Sequence, residues 1–454
     1  MINIMKLDLV RENALKILYE INKSGAYSNI AINKKLADSN LSTLDRAFIT
    51  ELVYGSLKWK LTIDYIIKRF SSVRIKKLSP WILNILRLGV YQLIYMDKIP
   101  QSAACNESVK LAKRYGHSAS SRYVNAVLRN IARSRDKIDY PNKNKDYSLY
   151  LSVKYSHPEW MVKSWLNLFG ESFTEELVKS NNEQAPLTIR VNTLKTNKEE
   201  LRCELNKEGF STKNTKYIEN ALIIDNPSSI IKMETFKNGL FQVQDESSML
   251  VAKVLDPKPG EFVIDVCSAP GGKATHIGQL MQNRGQIIAR DIHDHKIKLI
   301  KDAALRLGID IIRAEVFDAS REDLKLAQKA DCVLVDAPCT GFGIIRRKPD
   351  IKWTRNAEDL DEIIKIQEKI LKASSSYVKP GGVLVYSTCT IEPKENEEMV
   401  KSFLKDNREF ELEDISSLIP EGLKKDTAKE GYIQLYTNVD GIDGFFISKM
   451  RKRS

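Results

Sequence analysis

Residues 262–274, FVIDVCSAPGGKA, decide the fold of the C-terminal half of this 454-residue chain. An apolar run typical of a buried strand is followed by Gly271-Gly272 and then by residues that favour a helix. The two glycines permit a tight turn and a close approach of the backbone to a ligand. The stretch matches neither GxGxxG, the dinucleotide-binding pattern, nor GxxxxGKS/T, the P-loop pattern. We therefore expect a strand, a turn and a helix whose N-terminus favours a carboxylate or phosphate.

The same alternation of strand and helix continues through the rest of the chain. Predicted strands lie at 262–267, 286–289, 309–312, 332–335 and 383–386, and the helical segments between them include 295–307 and 359–377. This spacing predicts βαβ units in a parallel, doubly wound sheet that is covered on both faces. Residues 431–437 and 445–450 flank a glycine-containing turn and predict a terminal antiparallel hairpin.

Acidic residues close two of these predicted strands. Asp291 ends the second strand, where its carboxylate can accept hydrogen bonds from a ribose, and Asp318 ends the third. Doubly wound sheets bind their ligands beyond the carboxyl ends of the strands. Together with Gly271-Gly272, the two aspartates indicate an adenosine ligand.

Two cysteines stand just past the ends of neighbouring strands, Cys339 after the fourth and Cys389 after the fifth. Packing as a small hydrophobe explains Cys332, inside a strand, but explains these two poorly. Asp336 precedes Cys339 by three residues. Two thiols, a carboxylate and an adenosine cofactor suit methylation of a pyrimidine at C5, because a thiolate that adds to C6 makes C5 nucleophilic. The carboxyl group would stabilise the adduct.

The first 135 residues predict an all-helical domain. Apolar residues recur at helical spacing in 14–21, 48–57 and 82–89, and a last helix spans about 120–133. Residues 1–140 hold 24 Lys and Arg against 11 Asp and Glu, whereas the remainder of the chain is nearly neutral. This imbalance indicates a domain that binds a polyanion, although a solvated basic face accounts for it equally well.

Between these parts, the polar stretch 136–149 predicts a linker, and residues 150–250 predict a small α+β segment. Within that segment 187–191 alternate like a strand and 198–207 favour a helix. The sequence thus predicts three domains, residues 1–135, 150–250 and 251–454.

Composition excludes several classes of protein. No apolar run approaches the roughly 20 residues that a membrane helix needs, and the N-terminus does not resemble a signal peptide. The sequence therefore predicts a cytoplasmic protein. The six cysteines and five histidines show neither a disulfide framework nor the spacing of a zinc site, so no metal is expected.

The motifs resemble those of a known enzyme family. DAPCTGFGIIRRKPDIKW (336–353) and YSTCTIEPKENE (386–397) are similar to the Pro-Cys and Thr-Cys motifs of RNA cytosine-C5 methyltransferases, and VCSAPGGK (266–273) resembles their cofactor loop. The N-terminal stretches 85–116 and 122–131 resemble the NusB-like RNA-binding domain of the RsmB (Sun/Fmu) rRNA methyltransferases. SHPEW (156–160), TIRVNTLK (188–195) and DGFFISK (443–449) extend the resemblance over essentially the whole chain.

The resemblance implies a multidomain fold: an all-α NusB-like domain, a small α+β segment, and an α/β Rossmann-like class I methyltransferase domain with the terminal hairpin. It implies S-adenosylmethionine as cofactor and 16S rRNA as substrate, either free or in an assembling small subunit, with the chain acting as a monomer. Cys389 would be the nucleophile, Cys339 would assist product release, and Asp336 would contact the base. The implied cofactor contacts are Cys267, Ser268, Ala269, Pro270, Gly271, Gly272, Lys273, Asp291, Asp318 and Asp336.

Basic residues outside the cofactor loop are candidates for contacts with RNA phosphates. The first group, Arg346, Arg347 and Lys348, follows the Pro-Cys motif directly. Weaker candidates, for which a solvated surface is an equal explanation, are Lys113, Arg114, Arg122 and Arg129.

Two alternatives compete with this interpretation. In a DNA cytosine-C5 methyltransferase the Pro-Cys cysteine is itself the nucleophile, but the second motif, Thr388-Cys389, favours the RNA type. A non-enzymatic RNA-binding assembly factor would be expected to lack Cys389, Asp336 or the glycine pair, and this chain has all of them. Thr340, Phe342 and Arg290 depart from the family pattern and leave the details of the base pocket open.

Overall fold

The computed structural model describes residues 8–25, 28–37, 41–225 and 230–454. The chain forms two compact units. The first consists of residues 1–183 together with 345–355, and the second consists of 184–344 and 356–454. The predicted middle segment is therefore divided, because its residues up to 183, which are helical, belong to the first unit and the rest belongs to the second.

The first unit is helical throughout its described residues. Its helices up to residue 183 are α1 (Leu9–Ser24), α2 (Ser28–Ala37), α3 (Thr43–Lys58), α4 (Lys60–Phe70), α5 (Pro80–Tyr95), α6 (Gln101–Tyr115), α7 (Ser118–Arg133), α8 (Tyr147–Tyr155), α9 (Glu159–Phe169) and α10 (Glu171–Ser180). One apolar core extends from α1 to α7, and the periodic residues at 14–21 and 82–89 contribute to it. The predicted helical N-terminal domain is thus confirmed.

Two polar groups of this domain are satisfied by hydrogen bonds. Arg87, in the middle of α5, donates two hydrogen bonds to the Asp64 carboxylate at 2.7 and 2.6 Å. Asp8 begins α1 by accepting hydrogen bonds from the backbone N–H groups of Val10 and Arg11, which satisfies donors that the helix itself cannot. The helix that holds the periodic residues 82–89, α5, is therefore a buried core helix.

The second unit begins with a four-stranded antiparallel sheet. Its elements are β1 (Leu187–Val191), α11 (Lys198–Lys207), β2 (Thr212–Asn214), β3 (Ala221–Ile224), α12 (Glu234–Lys237) and β4 (Phe241–Val243). The strand order is β2-β3-β1-β4. The predicted strand 187–191 and helix 198–207 are both confirmed, and so is the mixed character of this segment.

The larger sheet follows. Its elements, with one short helix of the first unit, are α13 (Glu246–Leu255), β5 (Phe262–Asp265), α14 (Gly272–Leu280), β6 (Gln286–Asp291), α15 (Asp294–Leu307), β7 (Ile312–Val316), β8 (Ala330–Asp336), α16 (Ile351–Thr354, first unit), α17 (Asp359–Ser375), β9 (Val378–Thr388), α18 (Glu397–Asp406), β10 (Phe410–Leu412), β11 (Tyr432–Leu435), α19 (Thr437–Asp440) and β12 (Phe445–Lys452).

Strands β9, β8, β5, β6 and β7 lie side by side in that order and are parallel. The chain therefore reverses direction across the sheet between β5 and β8, which opens a crevice at their carboxyl ends. Successive residues of one strand, such as Val263 and Ile264, enter different apolar cores, so both faces of the sheet are covered. The predicted doubly wound sheet is confirmed.

Two further predictions concern strand bounds. The terminal hairpin is confirmed, since β11 pairs antiparallel with β12. The third strand, predicted at 309–312, is wrong in its bounds, because β7 runs Ile312–Val316. Ile309 is buried, but its N–H donates to Ala304 O at 2.9 Å and completes the end of α15 after Gly308.

Candidate active site

The cofactor loop connects β5 to α14. Gly271 has φ +99°, and a Cβ at this position would lie 3.1 Å from the backbone of Ile300, so a side chain is disfavoured by both conformation and space. A Cβ at Gly272 would meet no atom within 4 Å among the described residues. Within the same part of the chain, no side chain caps the N-terminus of α14. The loop thus leaves an open space beside backbone N–H groups that favour an anion.

Asp265, at the carboxyl end of β5, is a buried carboxylate beside this loop. Among the described residues, neither of its oxygens has a hydrogen-bond partner of normal geometry. The nearby Ser268 side chain and Cys267 N–H act to lower the pKa of this carboxyl group, but they do not outweigh the effects that raise it. Burial, followed by repulsion from Asp336, raises the pKa of Asp265 to about 7. A buried carboxyl group without a partner is costly, and a cation bound beside it would remove that cost.

Arg190 is a residue of this site that the sequence analysis missed. It lies on β1, is 1 % exposed, and donates hydrogen bonds to Gly272 O at 2.8 Å and Thr275 Oγ1 at 3.1 Å. Thr275 in turn donates to Gly271 O at 2.7 Å. Burial lowers the pKa of Arg190 to about 9. The available signal was an arginine between two β-branched apolar residues, Ile189 and Val191, in the predicted strand.

The two aspartates predicted to hold an adenosine lie at the ends of adjacent strands. Asp291 is the last residue of β6 and accepts the His293 N–H at 3.0 Å. Asp318 lies two residues beyond β7, and hydrogen bonds from Ser320 lower its pKa. Both carboxylates are therefore held by local backbone turns at the carboxyl edge of the sheet.

Two exposed apolar side chains accompany these aspartates and were also missed. Val316, directly opposite Asp291 in the β6–β7 register, is 51 % exposed, and Ile292 is 57 % exposed. Apolar residues at the end of a sheet are normally covered, and a flat aromatic ring would cover these. Short strands that end in an exposed valine and isoleucine are difficult to distinguish from core strands in the sequence.

The two thiols meet where β8 and β9 end. Cys339 Sγ and Cys389 Sγ lie 3.2 Å apart, although 50 positions separate them in the chain. Both are half-buried. The hydrogen bond with Cys389 raises the pKa of the Cys339 thiol well above its usual range, and burial raises it further. Cys339 therefore keeps its proton. The separate roles of the two thiols stay predictions.

Asp336 joins the thiols to the cofactor loop. Its carboxylate accepts hydrogen bonds from Lys273 Nζ at 2.7 Å and from Ser387 Oγ at 2.9 Å. Burial acts to lower the pKa of Lys273, but the charges of Asp336 and Cys389 outweigh it and the pKa is raised. Lys273 therefore remains an ammonium group, and its charge favours the thiolate of Cys389.

The predicted RNA-contacting residues belong to the first unit. Lys113, Arg114, Arg122 and Arg129 are exposed on α6 and α7. In the segment 345–355, Lys348 is exposed, whereas Arg346 is only 7 % exposed. That segment packs within the first unit, where Asp350 accepts a hydrogen bond from Ser28 Oγ at 2.8 Å. Arg346 is therefore not the surface cation that its sequence neighbours suggested.

Arg290, a departure from the family pattern, is also buried. Its guanidinium contacts Glu315 and Asp323 at 2.6 and 2.7 Å and lies over the ring of Phe317. It thereby fixes the backbone just before Asp291.

Comparison with known proteins places this site in a family. Three family models match successive parts of the chain: the NusB family at 9–133, a ferredoxin-like domain of RsmF/B-like methyltransferases at 157–231, and 16S rRNA methyltransferase RsmB/F at 252–451. A probable ribosomal RNA small subunit methyltransferase B from Bacillus subtilis is 40 % identical over 99 % of this chain and 100 % of its own length. The chain belongs to the ribosomal RNA small subunit methyltransferase B family. The resemblance seen in the motifs is confirmed.

Solved structures agree with membership of the methyltransferase B family. The crystal structure of PH0851 has a TM-score of 0.81 and 30 % identity, and the alignment covers 97 % of this chain and 98 % of that one. The structure of NSun6 from Pyrococcus horikoshii with SFG, an analogue of S-adenosylmethionine, has a TM-score of 0.58 and 25 % identity, covering 65 % of this chain and 98 % of that one. The family is one of S-adenosylmethionine-dependent rRNA methyltransferases.

The sequence predicts neither a metal site nor a membrane-spanning helix. In the part of the chain that the structure describes, no group of three or more His, Cys, Asp or Glu could hold a metal ion. Across the described helices, none is both long and apolar enough to cross a membrane.

Proposed function

We propose that this chain transfers a methyl group to C5 of a cytosine in 16S rRNA through a covalent bond between Cys389 and C6. The observation that carries the proposal is the pair of thiols, 3.2 Å apart, beside the Asp336–Lys273 ion pair. A pyrimidine C5 becomes nucleophilic only after a nucleophile adds to C6. Two thiols lie close enough to reach one carbon, and the raised pKa of Cys339 favours Cys389 as the nucleophile.

The residues present fit S-adenosylmethionine. The unpartnered carboxylate of Asp265 would pair with its ammonium group, and the uncapped N-terminus of α14 would favour its carboxylate. Asp291 would accept hydrogen bonds from the ribose, with Ile292 and Val316 against the adenine. The other predicted contacts in 267–273, together with Asp318 and Asp336, belong to the same proposal.

In the proposed reaction, the Cys389 thiolate forms a C–S bond to C6, and the electron pair of the C5–C6 double bond moves toward C5. Asp336, held by Lys273 and Ser387, contacts the base, and the Lys273 ammonium group that is paired with it offsets this charge. Bound S-adenosylmethionine supplies the methyl group to C5. After a base removes the C5 proton, the double bond re-forms and the C–S bond breaks. Cys389 leaves as the thiolate that began the cycle, and the Cys339 thiol, which keeps its proton, donates a hydrogen bond to the departing sulfur.

Mapping of 5-methylcytosine tests the proposed function directly. Bisulfite sequencing of small-subunit rRNA from cells that lack this protein should show loss of one 5-methylcytosine, and purified protein with S-adenosylmethionine should restore it in vitro. The same assay on tRNA serves as the control for substrate class. Unchanged 5-methylcytosine in rRNA, or restoration only in tRNA, would contradict the proposal.

We also expect the first unit to position the substrate through phosphate contacts. Reversing two exposed charges of α7, Arg122→Glu with Arg129→Glu, should raise the KM for rRNA by about tenfold or more at 0.15 M salt and leave kcat nearly unchanged. Loss of phosphate contacts should also flatten the salt dependence of binding. The matched control is Lys325→Glu with Lys329→Glu, two exposed residues of the second unit. Equal KM values for the two double variants would count against an RNA-binding role for α7.

A further inference from the structure

The two thiols lie just past the last residues that the sheet pairs. The β8–β9 register ends at Asp336–Ser387, with one further backbone hydrogen bond from Ala337 N to Ser387 O at 2.9 Å, and Thr388 is the last residue of β9 that pairs with β12. Past these residues a backbone hydrogen bond, from Gly343 N to Cys389 O at 3.0 Å, joins the two loops. A sulfur-to-sulfur distance of 3.2 Å therefore also depends on the side chains that fix each loop.

Glu395 holds the loop that carries Cys339. It is fully buried, and its carboxylate accepts hydrogen bonds from the Thr340 backbone N–H at 2.9 Å and from the Thr340 hydroxyl. Gln367 Nε2 donates to the same carboxylate at 2.9 Å and also to Pro338 O at 2.9 Å. The residues on both sides of Cys339 are thus fixed by one buried carboxylate and one amide.

Asn396, the next residue, holds the loop that carries Cys389. It is 1 % exposed, and its Oδ1 accepts a hydrogen bond from the Thr388 hydroxyl at 2.6 Å. Its Nδ2 donates to Thr390 O at 3.1 Å and to Gln434 Oε1 at 2.7 Å. The residues on both sides of Cys389 are therefore fixed by one buried amide.

The two networks also touch each other. The hydroxyl oxygens of Thr340 and Thr390 lie 2.7 Å apart, so the loop of one thiol is hydrogen-bonded to the loop of the other. Thr340 departs from the family pattern, and its hydroxyl accounts for two of these contacts. A residue with a small apolar side chain at this position could make neither of them.

We infer that Glu395 and Asn396 are positioning residues, each for a different thiol and hence for a different step of the reaction. The inference rests on the proposed function. Asn396 orients Cys389 for attack on C6, and Glu395 orients Cys339 for release of the product. The charge of Glu395 also contributes to the raised pKa of Cys339, so this carboxylate helps to keep the proton that release requires.

Single-turnover assays on the full chain separate the two roles. With labelled small-subunit rRNA and S-adenosylmethionine, a denaturing gel follows formation and decay of the protein–RNA adduct. Glu395→Gln should form the adduct at the wild-type rate and release it at least tenfold more slowly, whereas Asn396→Ala should form it at least tenfold more slowly. Glu413→Gln, which changes a carboxylate paired with Arg451, is the matched control and should alter neither rate.

Two isosteric variants guard against a failure of folding, since Glu395 and Asn396 are buried. Thr340→Val removes a hydroxyl that donates to Glu395 and should reproduce the slow release. Thr388→Val removes the donor to Asn396 and should reproduce the slow attack. Affinity for S-adenosylmethionine should stay at the wild-type value in both, because neither residue belongs to the cofactor loop. A cooperative thermal transition, at a somewhat lower melting temperature, shows that each variant is folded.

The inference is overturned if folded variants of both networks slow attack and release equally, or if they leave both rates unchanged. A wild-type protein that methylates C5 while the variants behave in either of these ways refutes only the positioning roles. A wild-type protein that forms neither an adduct nor 5-methylcytosine refutes the proposed function and this inference with it.

Discussion

Cys389→Ser is expected to abolish both methyl transfer and the covalent protein–RNA adduct. Serine is far less acidic than cysteine, so no nucleophile is available to add to C6, and C5 stays unreactive. The loss should reach about 10³-fold or more, as for the removal of a nucleophile in other enzymes. The measurement is methyl incorporation into small-subunit rRNA, together with a denaturing gel that detects a slower band when RNA is bound covalently.

Cys339→Ser should fail at a different step. Attack by Cys389 and methyl transfer remain possible, but the departing sulfur loses the hydrogen bond from the Cys339 thiol, and elimination should slow by about 10²-fold. The adduct should therefore accumulate on the gel, while methylated free RNA appears slowly. Cys203→Ser, at an exposed thiol on α11, is the control and should behave as wild type.

The opposite pattern would reverse the assignment. If Cys389→Ser trapped RNA and Cys339→Ser abolished adduct formation, the cysteine of the Pro-Cys motif would be the nucleophile, as in the DNA enzymes. The contact between the thiols cannot decide this by itself, because the two sulfurs lie 3.2 Å apart and either could reach the same carbon. The raised pKa of Cys339 and the ammonium of Lys273 are what favour Cys389.

Sequence periodicity was sufficient to predict the scaffold that brings these groups together. Apolar runs placed β5, β6, β8 and β9 correctly, and in a parallel sheet their carboxyl ends must meet at one edge. Cys339 and Cys389 could therefore be predicted as neighbours, and Asp291 could be predicted at the same edge of the sheet, without knowledge of any contact. The bounds of β7 were missed because Ile309 is as buried as a strand residue, although it ends a helix.

Contacts between distant polar residues could not be predicted in the same way. Glu395 lies in EPKENE, a charged run that is typical of a solvated surface, yet it is fully buried. Arg346 stands beside two other cations and is buried as well. For Glu395, burial depends on a partner that is remote in the chain, Thr340, 55 positions away. Local charge patterns carry no information about such partners.

The second large effect is expected at Asp265, whose substitution should affect stability and cofactor binding in opposite directions. Burial and the nearby Asp336 raise the pKa of this carboxyl group to about 7, far above its unfolded value. The folded protein therefore holds a proton between about pH 4 and 7 that the unfolded chain has lost, and stability falls as the pH rises through this window. Asp265→Asn removes that dependence and should stabilise the protein without cofactor by a few kcal/mol above pH 7.

Binding of S-adenosylmethionine should respond in the opposite sense, because its ammonium group would pair with the ionised carboxylate of Asp265. The affinity of wild-type protein should rise from pH 5.5 to 7, with release of up to one proton per cofactor bound in that range. Asp265→Asn should weaken binding about 100-fold or more, since the cofactor's ammonium group would lose its charged partner, and the pH dependence should disappear.

Calorimetry in two buffers of different ionisation enthalpy measures both the affinity and the proton count. Asp302→Asn, an exposed carboxylate on α15, is the control. Wild-type affinity in Asp265→Asn, or pH-dependent binding that survives the substitution, would show that the buried carboxylate serves the fold and not the cofactor.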